Sequence, residues 1–375
     1  MLIGIDAGPL LGHGGISAYV GPLVRELLAI PQDIRYRLVL RIGWLAHPAA
    51  DSLDELGSVT RIRVPDRVLF FWWNRLGRAF PASRGLWKSL DLFLATCLVA
   101  PVLSRGQVVS IVYDLIPLRL PALFPDHGKF RKKLERLLLR SSAVVAISRR
   151  TKEDLVELMG VDPGRVHVIY PGRCKAFQPI TRQQAAEVAK RYGVFGPYIL
   201  YVGALGPHKN VPALFQAYQL AREEGKIPAK LLVVGNSQWG QETTAVLQTL
   251  RVRDDIVTPG FVPAEDLPAL YTGAELFVFP SRYEGFGLPV LEAMACGTPV
   301  IVSKAGALPE AAGEAGLYVD PDDCTALADL MCRVLGGRDL RAQLAAASLN
   351  QAENFCWTRS ARQLLALLRD AAANA

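Results

Sequence analysis

The most distinctive chemical pattern in the sequence is a glycine-containing loop with one glutamate in it and a second glutamate just beyond it. Glu284 lies in the loop, Pro289 suits the first turn of a helix, and Glu292 lies one turn into that helix. The two carboxylates can therefore approach one ligand at the helix start from different heights. Because an ionised carboxylate accepts two hydrogen bonds, the arrangement suits the vicinal hydroxyls of a sugar or a ribose.

A lysine at another strand-to-helix turn is the best candidate for a cation that binds an anionic ligand. Lys209 follows a buried strand predicted over residues 198–203 and precedes a predicted helix. The alternative, which is ordinarily the commoner case, is an exposed lysine near a helix start that binds no ligand. Because the helix dipole disfavours a cation at that end, a lysine at this place nevertheless points to an anionic ligand. Its compact ammonium group suits a diphosphate.

A glycine-rich turn near the N-terminus is a second candidate phosphate site. Gly14 and Gly15 precede a predicted helix, and glycine lets the N–H groups of a helix start approach a phosphate closely. The spacing is not the G-x-G-x-x-G of dinucleotide-binding proteins. When this segment is considered alone, the alternative to a phosphate site is a flexible loop.

Together these residues resemble the motifs of the retaining glycosyltransferases of family 4. Glu284 and Glu292 match the family's E-x7-E motif, and Gly-Thr-Pro-Val-Ile after it extends the match. The resemblance covers nearly the whole chain, including Gly14-Gly15, Tyr113-Asp114-Leu115-Ile116-Pro117, Ala146-Ile147-Ser148, Lys209-Asn210, Gly235, Phe261-Val262 and Phe355-Cys356-Trp357. It implies an α/β protein with the GT-B fold. Two Rossmann-like domains would face a central cleft that holds a donor sugar nucleotide, and the last helix would cross back to the N-terminal domain.

The resemblance also implies a role for each matching residue on the donor side. Lys209 would bind the donor diphosphate, Glu292 the ribose hydroxyls and Glu284 the hydroxyls of the donor sugar. Gly14 and Gly15 would close on the phosphates from the other domain. The remaining expected donor contacts are His208, Val262 against the nucleobase, and the backbone of Phe286, Gly287 and Leu288.

Transfer with retention of the anomeric configuration is the mechanism that the resemblance implies. Asp114 in the acceptor-side motif, Lys209 and Glu284 are the expected catalytic residues. The leaving diphosphate would accept the acceptor's proton, and Lys209 with helix N-termini can stabilise its charge without a metal ion. We therefore expect no metal and no cofactor besides the nucleotide-sugar donor. The acidic segment 320–323 is interpreted as a helix N-cap with an acidic first turn rather than as a metal site.

Two positions depart from the family's usual pattern. Many members carry an arginine directly after the strand glycine, where this chain has Ala204, and a subset carries it before the lysine, where this chain has His208. A protonated His208 would supply the missing cation, whereas a neutral one would only donate a hydrogen bond. Many members also have a histidine before the acceptor-side aspartate, where this chain has Tyr113, a poor base near neutral pH.

Short apolar segments alternate with amphipathic ones along the chain, which is typical of parallel α/β domains. The first series of predicted strands is 2–7, 37–42, 59–64, 92–98, 108–113, 143–147 and 166–170, and the second is 198–203, 230–234, 256–261, 276–279, 299–303 and 316–319. A linker is predicted near residues 171–182. We expect an acceptor domain at 1–176, a donor-nucleotide domain at 177–356 and a helix at 357–375 that packs on the N-terminal domain.

Length, composition and charge exclude several other classes of protein. The 375 residues allow two domains, and 51% apolar with 21% charged residues is typical of a globular protein. The net charge of +7 favours anionic partners. The six cysteines lack the spacing of a zinc site or a disulfide framework, and neither a secretory signal nor a membrane-spanning helix is predicted.

Two basic stretches indicate contact with an anionic membrane surface. Residues 67–87 interleave aromatic residues with arginines, and residues 129–140 predict an amphipathic helix with a leucine side at Leu134, Leu137 and Leu138. The alternative for both is an ordinary core with a solvated face. No nucleic-acid-binding motif accompanies these charges, so no nucleic-acid partner is expected. The predicted location is cytoplasmic, peripheral at the inner face of the cell membrane.

The predicted function is transfer of mannose or rhamnose from a GDP-sugar to a lipid-linked or oligosaccharide acceptor in O-antigen or exopolysaccharide synthesis. The GDP donor rests on likeness to mannosyl- and rhamnosyltransferases, with Trp239 as a similar local feature. A UDP-sugar donor is the first alternative. A non-catalytic sugar-nucleotide-binding scaffold is another, which the presence of Lys209, Glu284 and Glu292 disfavours. A GT-B-like epimerase would need an acid/base group that the sequence does not reveal.

Overall fold

The computed structural model describes residues 1–12, 14–31, 33–75, 77–78, 84–103, 105–223, 227–235 and 241–373. Contacts divide the chain into two units, the first made of Met1–Gly172 with Cys356–Ala375 and the second of Arg173–Phe355. The sequence-based boundary after residue 176 lies slightly beyond Gly172. The chain therefore passes twice between the units, close to the predicted linker and again before the last helix.

Within the described residues, the sheet of the first unit has parallel strands only. They are β1 (Leu2–Asp6), β2 (Arg35–Arg41), β3 (Ser58–Ile62), β4 (Leu92–Ala95), β5 (Gln107–Val112), β6 (Ala143–Ala146) and β7 (Val166–Val168). Their order is β3-β2-β1-β4-β5-β6-β7. Every residue of β4 and β6 is buried, which explains why these strands are continuous apolar runs rather than alternating ones.

The helices of the first unit connect these strands and cover the sheet. They are α1 (Gly8–Leu11), α2 (Gly15–Ala29), α3 (Ile42–Leu45), α4 (Asp66–Arg75), α5 (Arg84–Ser89), α6 (Ile116–Arg119), α7 (His127–Arg140), α8 (Arg149–Met159) and, from the chain end, α17 (Trp357–Ala373). Local capping sets the bounds of α8, because the Ser148 hydroxyl accepts the N–H of Thr151 and Gly160 ends the helix in the left-handed conformation.

The second unit repeats the same design with a smaller sheet. Its parallel strands are β8 (Tyr198–Val202), β9 (Lys230–Val234), β10 (Ile256–Gly260), β11 (Leu276–Phe279), β12 (Val300–Ser303) and β13 (Gly316–Val319). The order is β10-β9-β8-β11-β12-β13. All thirteen strands predicted from the sequence coincide with observed strands, differing only at their ends.

The helices of the second unit are α9 (Arg182–Arg191), α10 (Val211–Glu223), α11 (Gln241–Thr249), α12 (Leu267–Gly273), α13 (Leu288–Ala295), α14 (Leu308–Ala312), α15 (Cys324–Gly336) and α16 (Arg338–Ala352). The prediction for the acidic segment before α15 is partly right. Asp323 caps α15 by accepting the N–H of Ala326 at 2.8 Å. The acidic first turn is wrong, because Asp320 and Asp322 precede the helix, where they form a turn of their own.

The last helix packs within the first unit, against α2. The rings of Tyr19 and Trp357 meet edge to face with centroids 5.5 Å apart. The Thr358 hydroxyl bonds the Glu26 carboxylate at 2.7 Å, and the Ser360 hydroxyl donates to the Tyr170 carbonyl at 2.6 Å. Apolar and polar contacts thus both hold α17 on the first unit.

Two aromatic residues of the predicted basic-aromatic stretch, Trp73 and Trp87, lie in the core of the first unit, whereas Phe71 is 54% exposed. The two tryptophans form a chain of edge-to-face pairs with Phe93 of β4, and Leu69 is buried beside them. For these residues the core alternative is correct, while Leu76 and Phe80 lie outside the described residues. In the part of the chain that the structure covers, no helix has both the length and the apolar character to span a bilayer.

In both sheets the strand order reverses next to the first strand. The chain adds β2 and β3 on one side of β1 and then places β4 on the other side. In the same way it adds β9 and β10 on one side of β8 and places β11 on the other. In open α/β sheets, ligands bind outside the carboxyl ends of the strands at such a switch point. The fold therefore predicts a ligand site beyond β1 and β4 and another beyond β8 and β11.

Candidate functional site

The switch point of the second unit holds a buried ion pair between two of the predicted site residues. Lys209 follows β8 and Glu284 follows β11, and the Lys209 Nζ lies 2.7 Å from the Glu284 Oε1. The two side chains are only 15% and 9% exposed. The ammonium also lies 5.1 Å from the centre of the Phe279 ring. These contacts fix the direction of both charged groups at the carboxyl ends of neighbouring strands.

The loop that carries Lys209 is held in place by the next residue. Asn210 is buried and has a φ of 57°, a left-handed conformation that asparagine tolerates better than most residues. Its amide nitrogen donates to the carbonyls of Pro280 at 3.3 Å and Pro321 at 2.6 Å. Asn210 thereby ties the Lys209 loop to the segment that leads to Glu284.

Asn210 is thus a positioning residue for Lys209, and its loss has a measurable consequence. Asn210→Gly keeps the left-handed backbone but removes two hydrogen bonds, so we expect nucleoside-diphosphate affinity to fall by about tenfold. Asn210→Ala adds strain of about 1 kcal/mol at the same backbone. Calorimetry with a nucleoside diphosphate and with the matching nucleoside checks the role. An equal loss for both ligands would show general damage rather than misplacement of Lys209.

The loop around Glu284 is shaped by two glycines with positive φ. A Cβ on Gly306 would come within 2.4 Å of the Glu284 carbonyl oxygen, which accepts the N–H of Ala307 at 2.9 Å. Gly287 caps α13 with a φ of 104°, and a Cβ there would lie 2.6 Å from Leu308. Pro289 occupies the first turn of α13, as predicted. Close backbone packing at Gly306 therefore sets the position of Glu284, and the positive φ of Gly287 sets the start of α13.

Glu292 faces a buried tyrosine that the sequence analysis does not single out. The Tyr271 hydroxyl donates to the Glu292 Oε2 at 3.0 Å. Burial raises the pKa of Glu292 to about 7, although the hydrogen bond from Tyr271 acts in the opposite direction. The carboxyl group is therefore divided between its two protonation states near neutral pH, and hydroxyl donors from a ligand would favour the ionised one.

His208 is neutral at physiological pH in this environment. Burial and the neighbouring Lys209 ammonium lower the pKa of His208 to about 4, while Glu284 acts against them. Of the two states left open by the sequence, the structure favours the neutral one, so His208 does not replace the arginine that is missing at Ala204.

The side chains of the other predicted donor-binding residues are largely buried. Phe286 is buried and meets Phe355 edge to face with ring centroids 5.2 Å apart. Val262 is also buried, whereas the preceding Phe261 is among the most exposed large apolar residues described. Ligand contacts at Phe286 and Val262 would therefore come through the backbone, as would those at Gly287 and at Leu288, the first residue of α13. These roles stay predictions.

The predicted residues of the first unit lie at the carboxyl edge of its sheet and at the start of α2. Gly14 is the N-cap of α2 with a φ of 104°, and Gly15 is its first residue. Asp114 follows β5 and accepts the N–H of Ile116 at 3.0 Å. The Tyr113 hydroxyl donates to the Thr96 carbonyl at 2.7 Å, and burial raises the pKa of Tyr113 well above its usual value. Tyr113 is therefore a structural donor rather than a base.

Comparison with known families matches both halves of the chain. Residues 13–173 match Glycosyltransferase Family 4, and residues 193–351 match Glycosyl transferases group 1. The two matched regions include every residue of the predicted site.

Individual relatives and structures agree with the family matches. The chain is 32% identical over 263 residues to O-antigen chain mannosyltransferase B of Escherichia coli, a match that covers 69% of each protein. It is 33% identical over 252 residues to mannosylfructose-phosphate synthase of Agrobacterium fabrum, covering 64% of this chain but only 56% of that protein. The structure of Anabaena HepE in complex with UDP and glucose superimposes with a TM-score of 0.76 at 20% identity, covering 98% and 99% of the two chains. The fold is thus GT-B.

Proposed function

Because this chain belongs to the family 4 glycosyltransferases, we propose that it transfers a mannosyl residue from GDP-mannose to a lipid-linked oligosaccharide during synthesis of an O-antigen chain. The observation that carries the proposal is the Lys209–Glu284 ion pair at the switch point of the second unit, with Glu292 on the adjoining helix. The mannosyl and O-antigen parts draw on the name of the Escherichia coli relative. Rhamnose is the other hexose that the sequence resemblance favours.

In this proposal the donor is held by three charged side chains. Lys209 neutralises the diphosphate, Glu284 accepts hydrogen bonds from hydroxyls of the transferred sugar, and Glu292 accepts them from the ribose. The ion pair is already formed in the free protein, with its atoms 2.7 Å apart, so little reorganisation is needed when the donor binds.

The chemical step exchanges one bond at the anomeric carbon for another. The bond from this carbon to the diphosphate oxygen breaks, and a bond to the acceptor hydroxyl oxygen forms on the same face of the sugar. The acceptor's proton passes to the leaving diphosphate, and Asp114 orients the acceptor hydroxyl. Lys209 stabilises the charge that develops on the diphosphate, so the step needs no metal ion.

A UDP-sugar donor is the main alternative, because HepE was crystallised with UDP and glucose. Trp239, the local feature that favours GDP in the sequence, lies outside the described residues. Thermal shifts with GDP, UDP and ADP separate the donors, since a ligand that binds the native state raises its apparent stability. We expect the largest shift with GDP. Preference for UDP would change the donor and keep the site, whereas no response to any nucleotide would favour a non-catalytic protein.

A basic face on α7 supports a membrane-bound acceptor. The predicted leucine side is buried, and the opposite side exposes Lys129, Lys132, Lys133 and Arg136. Leu139, near the C-terminal end of the same helix, is 86% exposed. Cationic side chains beside an exposed apolar one are typical of helices that lie on an anionic bilayer surface.

The neighbouring helix α4 presents a similar combination. Arg67, Phe71 and Arg75 follow one another at four-residue spacing and are exposed, with Phe71 54% exposed. The Arg140 guanidinium at the end of α7 donates to the Trp73 carbonyl of α4 at 2.5 Å, so the two helix ends adjoin. We propose that this surface, the exposed sides of α4 and α7, binds the inner face of the cell membrane in the cytoplasm.

We expect the protein to sediment with vesicles that contain phosphatidylserine and not with neutral vesicles. Lys132→Glu/Lys133→Glu should weaken binding at least about tenfold, because each basic side chain near such a surface contributes about 1 kcal/mol. Arg251→Glu/Arg253→Glu, which makes the same charge change on exposed residues of the second unit, is the matched control. Equal loss in both variants would show that only net charge matters and would contradict the α7 surface.

A further inference from the structure

The loop that carries Asp114 is bound at both of its ends by one helix of the first unit. The loop begins at Tyr113, which follows β5, and ends at Arg119, the last residue of α6. Helix α8 contacts the first of these residues through Thr151 and the second through Asp154. Both residues of α8 are only 1% exposed. The proposed transfer step gives neither of them a role.

The contact at the first end of the loop passes through two hydroxyl groups at the start of α8. The Ser148 hydroxyl accepts the backbone N–H of Thr151 at 3.0 Å and donates to the Thr151 hydroxyl at 3.0 Å. The Thr151 hydroxyl donates in turn to the Tyr113 carbonyl at 3.1 Å. This carbonyl belongs to the same planar peptide group as the nitrogen of Asp114. The hydrogen bond therefore fixes the backbone from which the Asp114 side chain extends.

The direction of the Asp114 carboxylate depends on where α6 begins. Its Oδ1 accepts the N–H of Ile116, the first residue of α6, at 3.0 Å. Leu115 and Ile116 are buried, whereas Asp114 is half-buried and reaches the surface. Movement of α6 would therefore turn a carboxylate that a substrate can reach.

The contact at the second end of the loop holds α6 itself. The Arg119 Nε donates to the Asp154 Oδ1 at 2.8 Å, and the Arg119 guanidinium also pairs with Glu157 of α8. The Arg150 Nη2 donates to the same Asp154 oxygen at 2.7 Å, so two arginines share one buried carboxylate. A helix of four residues is not stable by itself, so α6 depends on such contacts for its position.

We propose that Thr151 and Asp154 are positioning residues for sugar transfer, which hold the loop 113–119 so that Asp114 can orient the acceptor hydroxyl. This inference rests on the proposed function, from which it takes the role of Asp114. Thr151 fixes the peptide group before Asp114, and Asp154 fixes the short helix after it. Since a misplacement of about 1 Å can lower an enzymatic rate roughly 100-fold, residues that touch no substrate can control kcat.

Kinetics of two Thr151 variants test the proposal. Thr151→Val removes the hydroxyl and keeps the shape of the side chain, whereas Thr151→Ser keeps the hydroxyl. With GDP-mannose and a neutral manno-oligosaccharide, we expect Thr151→Val to lower kcat about tenfold and Thr151→Ser to restore most of it. Calorimetric affinity for GDP should not change, because the proposed diphosphate ligand Lys209 lies in the second unit. Thr358→Val, which removes a side-chain hydrogen bond elsewhere in the first unit, is the matched control and should keep the wild-type kcat.

Hydrogen–deuterium exchange of the free protein tests the loop without substrate. The amides of Ile116 and Arg119 are hydrogen-bonded to Asp114 and to the Leu115 carbonyl. Thr151→Val should speed exchange of the amides in 116–119 at least about threefold, because weaker support opens the loop more often. Asp154→Asn, which is nearly isosteric and binds the arginines less strongly, should speed the same amides and lower kcat. Thr151→Ser and Thr358→Val should leave them at the wild-type rate.

Each outcome bears on the proposal. Wild-type exchange in both Thr151→Val and Asp154→Asn overturns it, and so does an unchanged kcat in both. An equal fall of kcat in Thr151→Ser or Thr358→Val overturns it as well, because the loss would then not follow the hydroxyl bond to Tyr113. A wild-type protein that turns over no nucleotide sugar would instead contradict the proposed function. Because exchange is measured without substrate, the two failures are distinguishable.

Discussion

Replacing Lys209 by alanine should lower kcat/KM for sugar transfer by about 100- to 1,000-fold, the range for loss of one preorganised group that stabilises a developing negative charge. The Lys209 ammonium lies beside Glu284 at the switch point of the second unit, and neutral His208 cannot replace it. Steady-state kinetics with GDP-mannose, together with calorimetry of GDP, measures the loss.

The Lys209→Ala change also leaves the Glu284 carboxylate buried without its cation, which costs on the order of 3 kcal/mol of folding stability. The double variant Lys209→Ala/Glu284→Ala removes both charges and restores much of that stability, but not activity. Lys190→Ala, at an exposed lysine of the same unit, is the control for surface charge. A Lys209→Ala protein that keeps its GDP affinity would contradict the site assignment.

Donor affinity should rise about tenfold between pH 6 and pH 8, because in the proposed donor site the ionised form of Glu292 accepts the hydrogen bonds of the ribose hydroxyls. With a pKa of about 7, Glu292 is mostly protonated at pH 6 and mostly ionised at pH 8. The raised pKa also affects the folding stability of the free protein. The protonated Glu292 carboxyl contributes to this stability at low pH, and the contribution is lost as the pH rises through about 7. Calorimetry with GDP-mannose measures this change in affinity. The diphosphate of GDP-mannose stays fully ionised across this pH range, so titration of the ligand does not contribute.

Two variants assign the pH effect to Glu292. Glu292→Gln should weaken the donor by about tenfold at pH 8, because an amide is a weaker acceptor than a carboxylate, and should remove the pH dependence. Tyr271→Phe removes the hydrogen bond that lowers the pKa of Glu292 and should move the midpoint to higher pH. A slope that persists in Glu292→Gln would assign the titration to another group.

Local sequence determines much of this fold. Strands such as β8 and β11 are buried at every position, so their apolar runs are visible without knowledge of their neighbours. The loop glycines and Pro289 likewise mark the start of α13. The resemblance to the family motifs then predicts that Lys209, Glu284 and Glu292 belong to one site.

Contacts between distant segments could not be predicted in the same way. The Tyr271–Glu292 hydrogen bond joins α12 to α13, and the side-chain bonds of Asn210 reach loops after β11 and β13. The Asp6–Arg41–Cys97 contacts join the ends of three strands. Each depends on strand order, which periodicity does not encode. The protonation state of His208 could not be predicted from the sequence either, because it depends on how deeply the side chain is buried.

The most direct test of the central claim is the NMR spectrum of the product formed from GDP-mannose and a neutral manno-oligosaccharide. The one-bond carbon–proton coupling at the new anomeric centre reports its configuration. The proposed donor site predicts GDP release and an α-linked mannose, the configuration that the donor carries. A β-linked product would contradict retention, and GDP-mannose left unchanged in the presence of acceptor would contradict the proposed transfer.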